Sequence, residues 1–188
     1  PVYTKQGTWR EIQDKLVVPK NQLIELTKGS LTLGNLIVEP FAVSHDAADP
    51  IGINVFSGND KATVVTDTGI ISDDILHRLD DSTLLVLEAN YDPHMLRFGP
   101  YQPFLKQRVA SDEGHLSNEM AAQALLMMKR PDFMQVILAH RSENNNNAVL
   151  VTQTIGKMLV DGGVRIGPEM KLQHGQPNEI VSMQSVKR

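Results

Sequence analysis

Three apolar runs in this chain each end beside a side chain that can bind a metal ion. The runs are short and mostly apolar, so each is predicted to be a buried strand. They span residues 36–43, 62–66 and 134–139. His45 comes just past the first run, Asp67 directly after the second and His140 directly after the third. Ligand sites in open α/β sheets gather where strands end at their carboxyl edge, so this pattern predicts one convergent metal centre.

The composition limits what kind of protein and what kind of site the chain can form. Its 188 residues, 41% of them hydrophobic, predict one globular domain with a sizeable core. The net charge of -4 argues against a broadly basic nucleic-acid surface but leaves room for a local basic patch. Because the chain has no cysteine, a metal site must use imidazole and carboxylate ligands. The absence of cysteine also fits a reducing cytoplasm, and no apolar run approaches the roughly 18 residues that span a bilayer.

Predicted strands dominate the chain before Asp67, whereas helices alternate with strands after it. One helix, capped by Thr8 and running to about Leu16, precedes a β-meander with strands at 23–26, 31–33, 36–43, 51–56 and 62–66. Later strands are predicted at 84–87, 134–139, 170–172 and 180–183. Later helices are predicted at 73–79, 103–109 and 148–160, with two more that begin at Asp92-Pro93 and at Ser117. The alternation predicts an α/β fold.

Each candidate ligand also has a simpler interpretation. His45 lies in a turn-prone segment, so its ring could merely bond a backbone group. Asp67 could be an ordinary turn residue at a strand end. His140 directly follows a fully apolar run, so its ring needs a polar partner, which a hydrogen bond alone could supply. The shared position of all three relative to a strand favours the metal centre.

Two further residues are candidates for general acid–base catalysis. Glu88 follows the apolar run at 84–87, where a carboxylate can orient a histidine and raise its basicity. His115 lies just before a predicted helix, in a loop that could deliver an imidazole into a cleft as a proton donor. The alternatives are a salt bridge at the rim of the sheet for Glu88 and a residue preceding a helix cap for His115. His77 and His94 are expected on surface helices, and His174 in a polar tail without a role.

Five short motifs in the chain, in order, resemble those of metallo-β-lactamase-fold proteins. They read SHDA at 44–47, VTDTG at 65–69, LEANYD at 87–92, GHLSN at 114–118 and LAH at 138–140. They most resemble the YycJ/WalJ-type branch, which is related to tRNase Z-like nucleases. The resemblance covers essentially the whole chain and implies an α/β fold that is part of an αββα sandwich.

The resemblance also implies roles for the candidate residues. Residues in the places of His45, Asp67 and His140 are metal ligands in that family, and the aspartate usually bridges two ions, such as zinc or manganese. The residues matching Glu88 and His115 resemble a pair that handles protons at the scissile phosphate. The expected function is therefore a metal-dependent phosphodiesterase or nuclease acting on DNA or RNA. Hydrolysis of a small ester, thioester or lactam is the alternative activity, and a non-catalytic binding fragment is the alternative class.

One family motif is missing from the chain. The H-x-H-x-D-H segment, which supplies the other metal ligands in the family, does not occur in these 188 residues. The chain therefore resembles the carboxyl-terminal part of a family member, and we expect residues 1–188 to form a single domain that lacks its amino-terminal part. We also expect weak metal occupancy, and either a missing amino-terminal segment or a homo-oligomer partner that completes the site.

The segment from Arg97 to Arg108 carries a possible substrate signal. It reads RFGPYQPFLKQR, in which three cations alternate with Phe98, Tyr101 and Phe104. Cations interleaved with aromatic rings suit a phosphate backbone with stacked bases. An amphipathic lid that packs on the core is the alternative. The four asparagines at 144–147 are predicted to form a polar loop at the start of a helix, beside the same cleft.

Overall fold

Nine strands organise the part of the chain that the structure describes, residues 1–26, 29–176 and 178–182 of a computed structural model. They are β1 (Val2–Thr4), β2 (Leu23–Glu25), β3 (Leu31–Leu33), β4 (Leu36–Ala42), β5 (Ile51–Ser57), β6 (Asp60–Val65), β7 (Leu84–Glu88), β8 (Met134–Ala139) and β9 (Met170–His174). Seven of them form one sheet in the order β3-β4-β5-β6-β7-β8-β9, while β1 and β2 form a separate parallel pair.

The direction of the strands brings several of their ends to one edge of the large sheet. β3 to β6 form an antiparallel meander, as predicted, and β6 to β9 are parallel to one another. Because β5 is antiparallel to both of its neighbours, β4 and β6 point the same way. The carboxyl ends of β4, β6, β7, β8 and β9 therefore lie at the same edge, where ligand sites of such sheets gather.

Six α-helices accompany the strands in the described residues. They are α1 (Gln6–Ile12), α2 (Asp73–Leu79), α3 (Pro93–Phe98), α4 (Pro103–Val109), α5 (Asn118–Met127) and α6 (Ala148–Asp161). The predicted starts of α2, α3 and α5 are confirmed, because the side chains of Ser72, Asp92 and Ser117 each accept a backbone N–H of the first turn. Asn147 caps α6 in the same way. None of these helices is long and apolar enough to cross a membrane.

The main core lies on one face of the sheet. Val65, Leu87 and Leu138 are paired neighbours on successive strands and are almost completely buried. Buried side chains of α2, α5 and α6 pack against them; they are Ile75, Leu79, Ala121, Ala122, Ala124, Leu125, Val151, Ile155 and Leu159. A smaller cluster of Tyr91, Leu96 and Val109 anchors α3 and α4 beside this core.

The opposite face of the sheet also carries apolar side chains. Ile53, Val64, Val86 and Ile137 are paired across four adjacent strands and form one row on that face. None of the four is fully buried, and Val64 is 39% exposed. The helices that build the main core therefore cover only one side of the sheet.

The amino-terminal helix differs from its prediction. Thr8 does not cap it; α1 begins after Lys5 and ends at Ile12, short of the predicted Leu16. A distant residue explains the start, because the carboxylate of Asp49 accepts the Gly7 N–H at 3.2 Å and the hydroxyl of Thr8 donates to the Asp49 carbonyl. Capping from another loop leaves no local sequence signal.

Three strand predictions also need correction. The sequence predicts that the strand at 23–26 belongs to the meander, but β2 pairs with β1 instead. β9 extends beyond the predicted 170–172 to His174, so this histidine ends a strand rather than lying in a polar tail. Residues 180–182 form no strand, and the rest of the predicted strand at 180–183 lies outside the described residues.

Candidate metal centre

The carboxyl edge of the large sheet holds all five residues that were predicted from the sequence. His45 lies in the loop that follows β4, Asp67 in the loop after β6, and His140 directly after β8. Glu88 is the last residue of β7, and His115 enters from the loop between α4 and α5. The structure thus brings together side chains from five separate parts of the chain.

The backbone turns sharply where two of these residues leave their strands. Asp67 and His140 have φ values of 55° and 54°, in the left-handed region that few non-glycine residues adopt. Nearby hydrogen bonds hold these turns: the Asn90 side chain donates to the His140 carbonyl at 2.7 Å, and the Thr68 hydroxyl donates to the Ile70 carbonyl at 2.8 Å. Strained backbone of this kind persists where the surroundings fix it, and it often accompanies functional sites.

Glu88 hydrogen-bonds two of the three histidines in the cluster. Its carboxylate is fully buried, and one oxygen, Oε1, lies 2.7 Å from His115 Nδ1 and 2.8 Å from His140 Nδ1. The other oxygen accepts the backbone N–H groups of Thr68 at 3.0 Å and Leu116 at 3.4 Å. Burial alone would raise the pKa of Glu88, but the hydrogen bonds from His115, His140 and the Thr68 backbone together hold the pKa below its ordinary value. The same hydrogen bond raises the pKa of His140.

These hydrogen bonds also determine which ring nitrogens face the site. A carboxylate and a carbonyl oxygen only accept, so the Nδ1 atoms of His115 and His140 must donate to Glu88. His45 Nδ1 lies 3.0 Å from the Gly114 carbonyl and must donate as well. In each neutral ring the lone pair is therefore on Nε2, as metal coordination requires. The simpler interpretation, a hydrogen bond to a polar partner, thus holds for Nδ1 of His45 and His140. It leaves Nε2 of each ring available to a metal ion.

The acceptor atoms of the site converge at distances that suit a metal ion. Asp67 Oδ1 lies 3.6 Å from His45 Nε2 and 3.7 Å from His140 Nε2. Ligands that bind one ion tetrahedrally at about 2.0–2.2 Å are separated by about 3.3–3.6 Å, so Asp67 lies near the distance at which it could share an ion with either histidine. His115 stands between the two histidines, with ring centroids 5.1 Å from His45 and 5.2 Å from His140. Its nitrogen also lies within 4.8 Å of ligand atoms on His45 and Asp67.

Two glycines allow the loop that carries His115 to reach the site. A Cβ atom on Gly69 would meet the carbonyl oxygens of Ser111 and Asp112, and one on Gly114 would meet those of Arg108 and Val109. Backbone approaches this close exclude any side chain. The loop therefore packs directly on the turn after Asp67, which brings His115 beside His45 and Asp67.

An ion pair that has no local signal in the sequence lies at the rim of the centre. Arg108 binds the Asp46 carboxylate through two nitrogens, with the Nη2–Oδ1 contact at 2.9 Å. Asp46 Oδ1 is also 3.5 Å from His45 Nε2. The hydrogen bond from Arg108 lowers the pKa of Asp46. No role is predicted for Asp46 from the sequence, because its partner lies 62 residues away.

A cleft of about 320 Å³ opens directly beside His115 and His140. Tyr101, Leu105 and Arg108 line one side of it and Asn144 lies on its wall, so the asparagine segment does border the cleft as predicted. The remaining histidines lie elsewhere: the His77 side chain is 78% exposed beside Asp80, and His94 is exposed on α3. His174, at the end of β9, bonds the Thr152 hydroxyl at 2.8 Å.

Comparison with known proteins identifies the family. A family described as "Beta-lactamase superfamily domain" matches residues 1–140. The chain belongs to this superfamily of metallo-β-lactamase-fold proteins. It is 32% identical over 188 residues to a protein named Exodeoxyribonuclease YycJ from Bacillus anthracis, covering 99% of this chain and 71% of that one. It is 30% identical over 182 residues to Exodeoxyribonuclease WalJ from Streptococcus pneumoniae serotype 2, covering 94% and 67%.

Solved structures agree with this membership. The metallo-β-lactamase-fold protein YhfI from Bacillus subtilis superimposes with a TM-score of 0.66 at 13% sequence identity. The match covers 94% of this chain but only 62% of YhfI. This chain therefore spans less than two thirds of the length of YhfI. At this identity the likeness concerns the fold alone. The match to the family model and to the curated relatives confirms the predicted family, and the structural likeness confirms the predicted fold class.

Proposed function

We propose that the protein is a metal-dependent phosphodiesterase that cleaves nucleic acid. The observation that carries this proposal is that Asp67 Oδ1 lies 3.6 Å from His45 Nε2 and 3.7 Å from His140 Nε2, beside the buried Glu88 carboxylate that holds the rings of His115 and His140. Membership of the metallo-β-lactamase superfamily and relatives named exodeoxyribonucleases support it, and they favour DNA as the substrate. Because the proposed substrate is cellular nucleic acid, we place the protein in the cytoplasm, which the absence of cysteine also favours.

His45, Asp67 and His140 are the residues that would hold the metal ions, and Asp67 lies between the two histidines. Imidazole and carboxylate ligands suit zinc or manganese. A bound pair of such ions would supply positive charge beside the phosphate that undergoes substitution. The Gly114 carbonyl orients His45, and Glu88 orients His140, so both rings present Nε2 without a search through rotamers.

His115 is the proposed general acid. Its Nδ1–H bond to Glu88 fixes the ring, so that a proton on Nε2 can be donated to the leaving oxygen. The cleft beside His115 gives the phosphodiester access to this nitrogen. Glu88 therefore acts through the two rings that it holds, and does not itself need to touch the substrate.

A two-metal centre needs more ligands than these residues supply. The family's H-x-H-x-D-H segment does not occur in the 188 residues. We propose that the remaining ligands come from outside them, either from an amino-terminal segment of the same protein or from a second copy. Elemental analysis of the 188-residue chain tests this proposal: low occupancy supports it, and two tightly held ions per isolated chain overturn it.

Parallel measurement of oligonucleotide cleavage and bound metal in the protein tests the assigned roles. His115→Ala should lower turnover by roughly 10²–10⁴, the usual contribution of a general acid, while metal content stays the same. His140→Ala should lose metal and activity together. The control is His77→Ala, whose side chain is exposed on α2. If His115→Ala loses its metal, His115 is a ligand; if every variant cleaves as the wild type does, the cluster is structural.

A further inference from the structure

The segment at 93–111, which contains α3 and α4 and is called here the α3–α4 lobe, has a charge unlike the rest of the chain. It contains Arg97, Lys106 and Arg108 but no acidic residue, whereas the whole chain has a net charge of -4. Arg108 is bound to Asp46, but within the described residues neither Arg97 nor Lys106 forms an ion pair. The lobe therefore presents two cationic groups whose charge is not neutralised by a partner.

Two aromatic rings project from the same lobe into solvent. Phe98 is 68% exposed and Phe104 is 72% exposed, although α3 and α4 have their own buried anchors in Leu96 and Val109. The Arg97 guanidinium lies 5.4 Å from the centre of the Phe98 ring. A lid packed on the core would bury these rings, so the amphipathic-lid alternative does not account for them. Exposed rings beside unpaired cations are the combination that stacks bases and tracks a phosphate backbone.

The lobe is continuous with the metal centre. Tyr101 and Leu105 line the same cleft as His115 and His140. Phe98 and Phe104 are each three residues from Tyr101, so their Cα atoms lie at most about 11 Å from its Cα. A strand of a few nucleotides can span this distance and still have a phosphate at His115.

We propose that the α3–α4 lobe binds the unpaired bases of a single-stranded nucleic acid next to the bond that is cleaved. Phe98 and Phe104 stack on bases, Arg97 and Lys106 contact phosphates, and the cleft beside Tyr101 leads the strand to His115. The proposal deepens the function proposed above and rests on it for the cleavage step, but not for binding. Because every base has an aromatic face, the lobe discriminates single strands from duplexes rather than one sequence from another.

Binding without metal tests the stacking part. The protein is titrated in a chelator against a fluorescent oligothymidine and against a duplex of the same length, and the Phe98→Ala/Phe104→Ala double variant is compared with the wild type. Stacking contributes about 1–3 kcal/mol per base, so the double variant should bind the single strand at least tenfold more weakly. The control is Met127→Ala/Val160→Ala, which removes two similarly exposed side chains from α5 and α6. Equal affinity of wild type and double variant overturns the proposal and assigns the rings to a protein partner.

Salt dependence tests the cationic part. Each phosphate contact with a single strand contributes about 0.7 to the slope of log affinity against log salt concentration. Arg97→Gln/Lys106→Gln should therefore lower that slope by about 1.4, while Arg10→Gln/Lys15→Gln, two exposed cations near the amino terminus, should leave it unchanged. An unchanged slope in the lobe variant overturns the assignment of these cations.

The outcomes separate this inference from the proposed function. If the wild type binds single strands through the lobe but cleaves no oligonucleotide with any divalent metal, the lobe is established and the phosphodiesterase proposal fails. If the wild type cleaves oligonucleotides while the double phenylalanine variant binds and cleaves them equally well, the phosphodiesterase stands and the lobe proposal fails.

Discussion

Replacing Glu88 with glutamine tests the centre most sharply, because the change keeps the shape of the side chain and alters only its hydrogen bonding. The carboxylate accepts N–H groups at both oxygens, from His115 and His140 at Oε1 and from the backbone of Thr68 and Leu116 at Oε2. Glutamine offers one acceptor oxygen and one donor NH₂ group. Whichever way the amide is turned, its NH₂ group faces two other donors.

The loss of stability in Glu88→Gln follows from this clash between hydrogen-bond donors. One buried donor without a partner costs about 1–3 kcal/mol, so two conflicting contacts would cost about 2–6 kcal/mol. Burying a neutral amide instead of a charge recovers part of that, since desolvating a carboxylate is itself unfavourable. We expect the free energy of unfolding of the metal-free protein to fall by about 2–4 kcal/mol.

A change of tautomer in His115 and His140 would avoid this loss of stability, but it would weaken metal binding. If both rings move their proton from Nδ1 to Nε2, their Nδ1 atoms can accept from the amide. The Nε2 atom of His140 then no longer carries the lone pair that a metal needs. Glu88→Gln should therefore lose stability, metal affinity or both, as measured by urea unfolding and by competition with a metal indicator. The control is Glu11→Gln, an exposed carboxylate on α1. A Glu88→Gln protein that equals the wild type in both measurements refutes the reasoning.

Three further substitutions test the local structure by urea unfolding. Gly156→Ala in α6 should stabilise the protein by about 0.5–1 kcal/mol, because the added Cβ has only an ordinary contact with Ile166 at 3.8 Å; a loss of stability would contradict this. Gly114→Ala should destabilise it by about 1–3 kcal/mol and lower turnover, since the Cβ meets backbone that cannot move aside without displacing His115; an unchanged turnover would show that the loop tolerates the shift. Asn147→Ala removes the cap of α6 and should cost about 1 kcal/mol, whereas a neutral effect would mean that the cap contributes nothing.

The sequence predicted the strand ends of the site because those signals are local. An apolar run that stops at a polar residue is visible within a few positions, so the sheet edge that carries Asp67, Glu88 and His140 could be found from the sequence. The helix starts at Ser72 and Asp92 were found for the same reason, since a cap acts on the first turn of its own helix.

The remaining features depend on contacts between distant parts of the chain. Glu88 accepts hydrogen bonds from two histidines that lie 27 and 52 residues further along the sequence. Neither motif alone could show that both histidines share this carboxylate. Asp46 meets Arg108 only because the loop before His115 packs against the turn after Asp67. Likewise, β2 has the composition of a meander strand, and only the position of β1 decides that it pairs elsewhere.

The left-handed backbone at Asp67 and His140 has a consequence for how the superfamily can lose its chemistry during evolution. Asparagine and glycine adopt this conformation more readily than most residues, whereas a β-branched residue would be strained there. A lineage that no longer needs the metal can therefore exchange either residue for asparagine or glycine and keep its fold. Inactive descendants should be well-folded proteins that carry these replacements, while valine, isoleucine and threonine should be rare at both positions in active and inactive proteins alike.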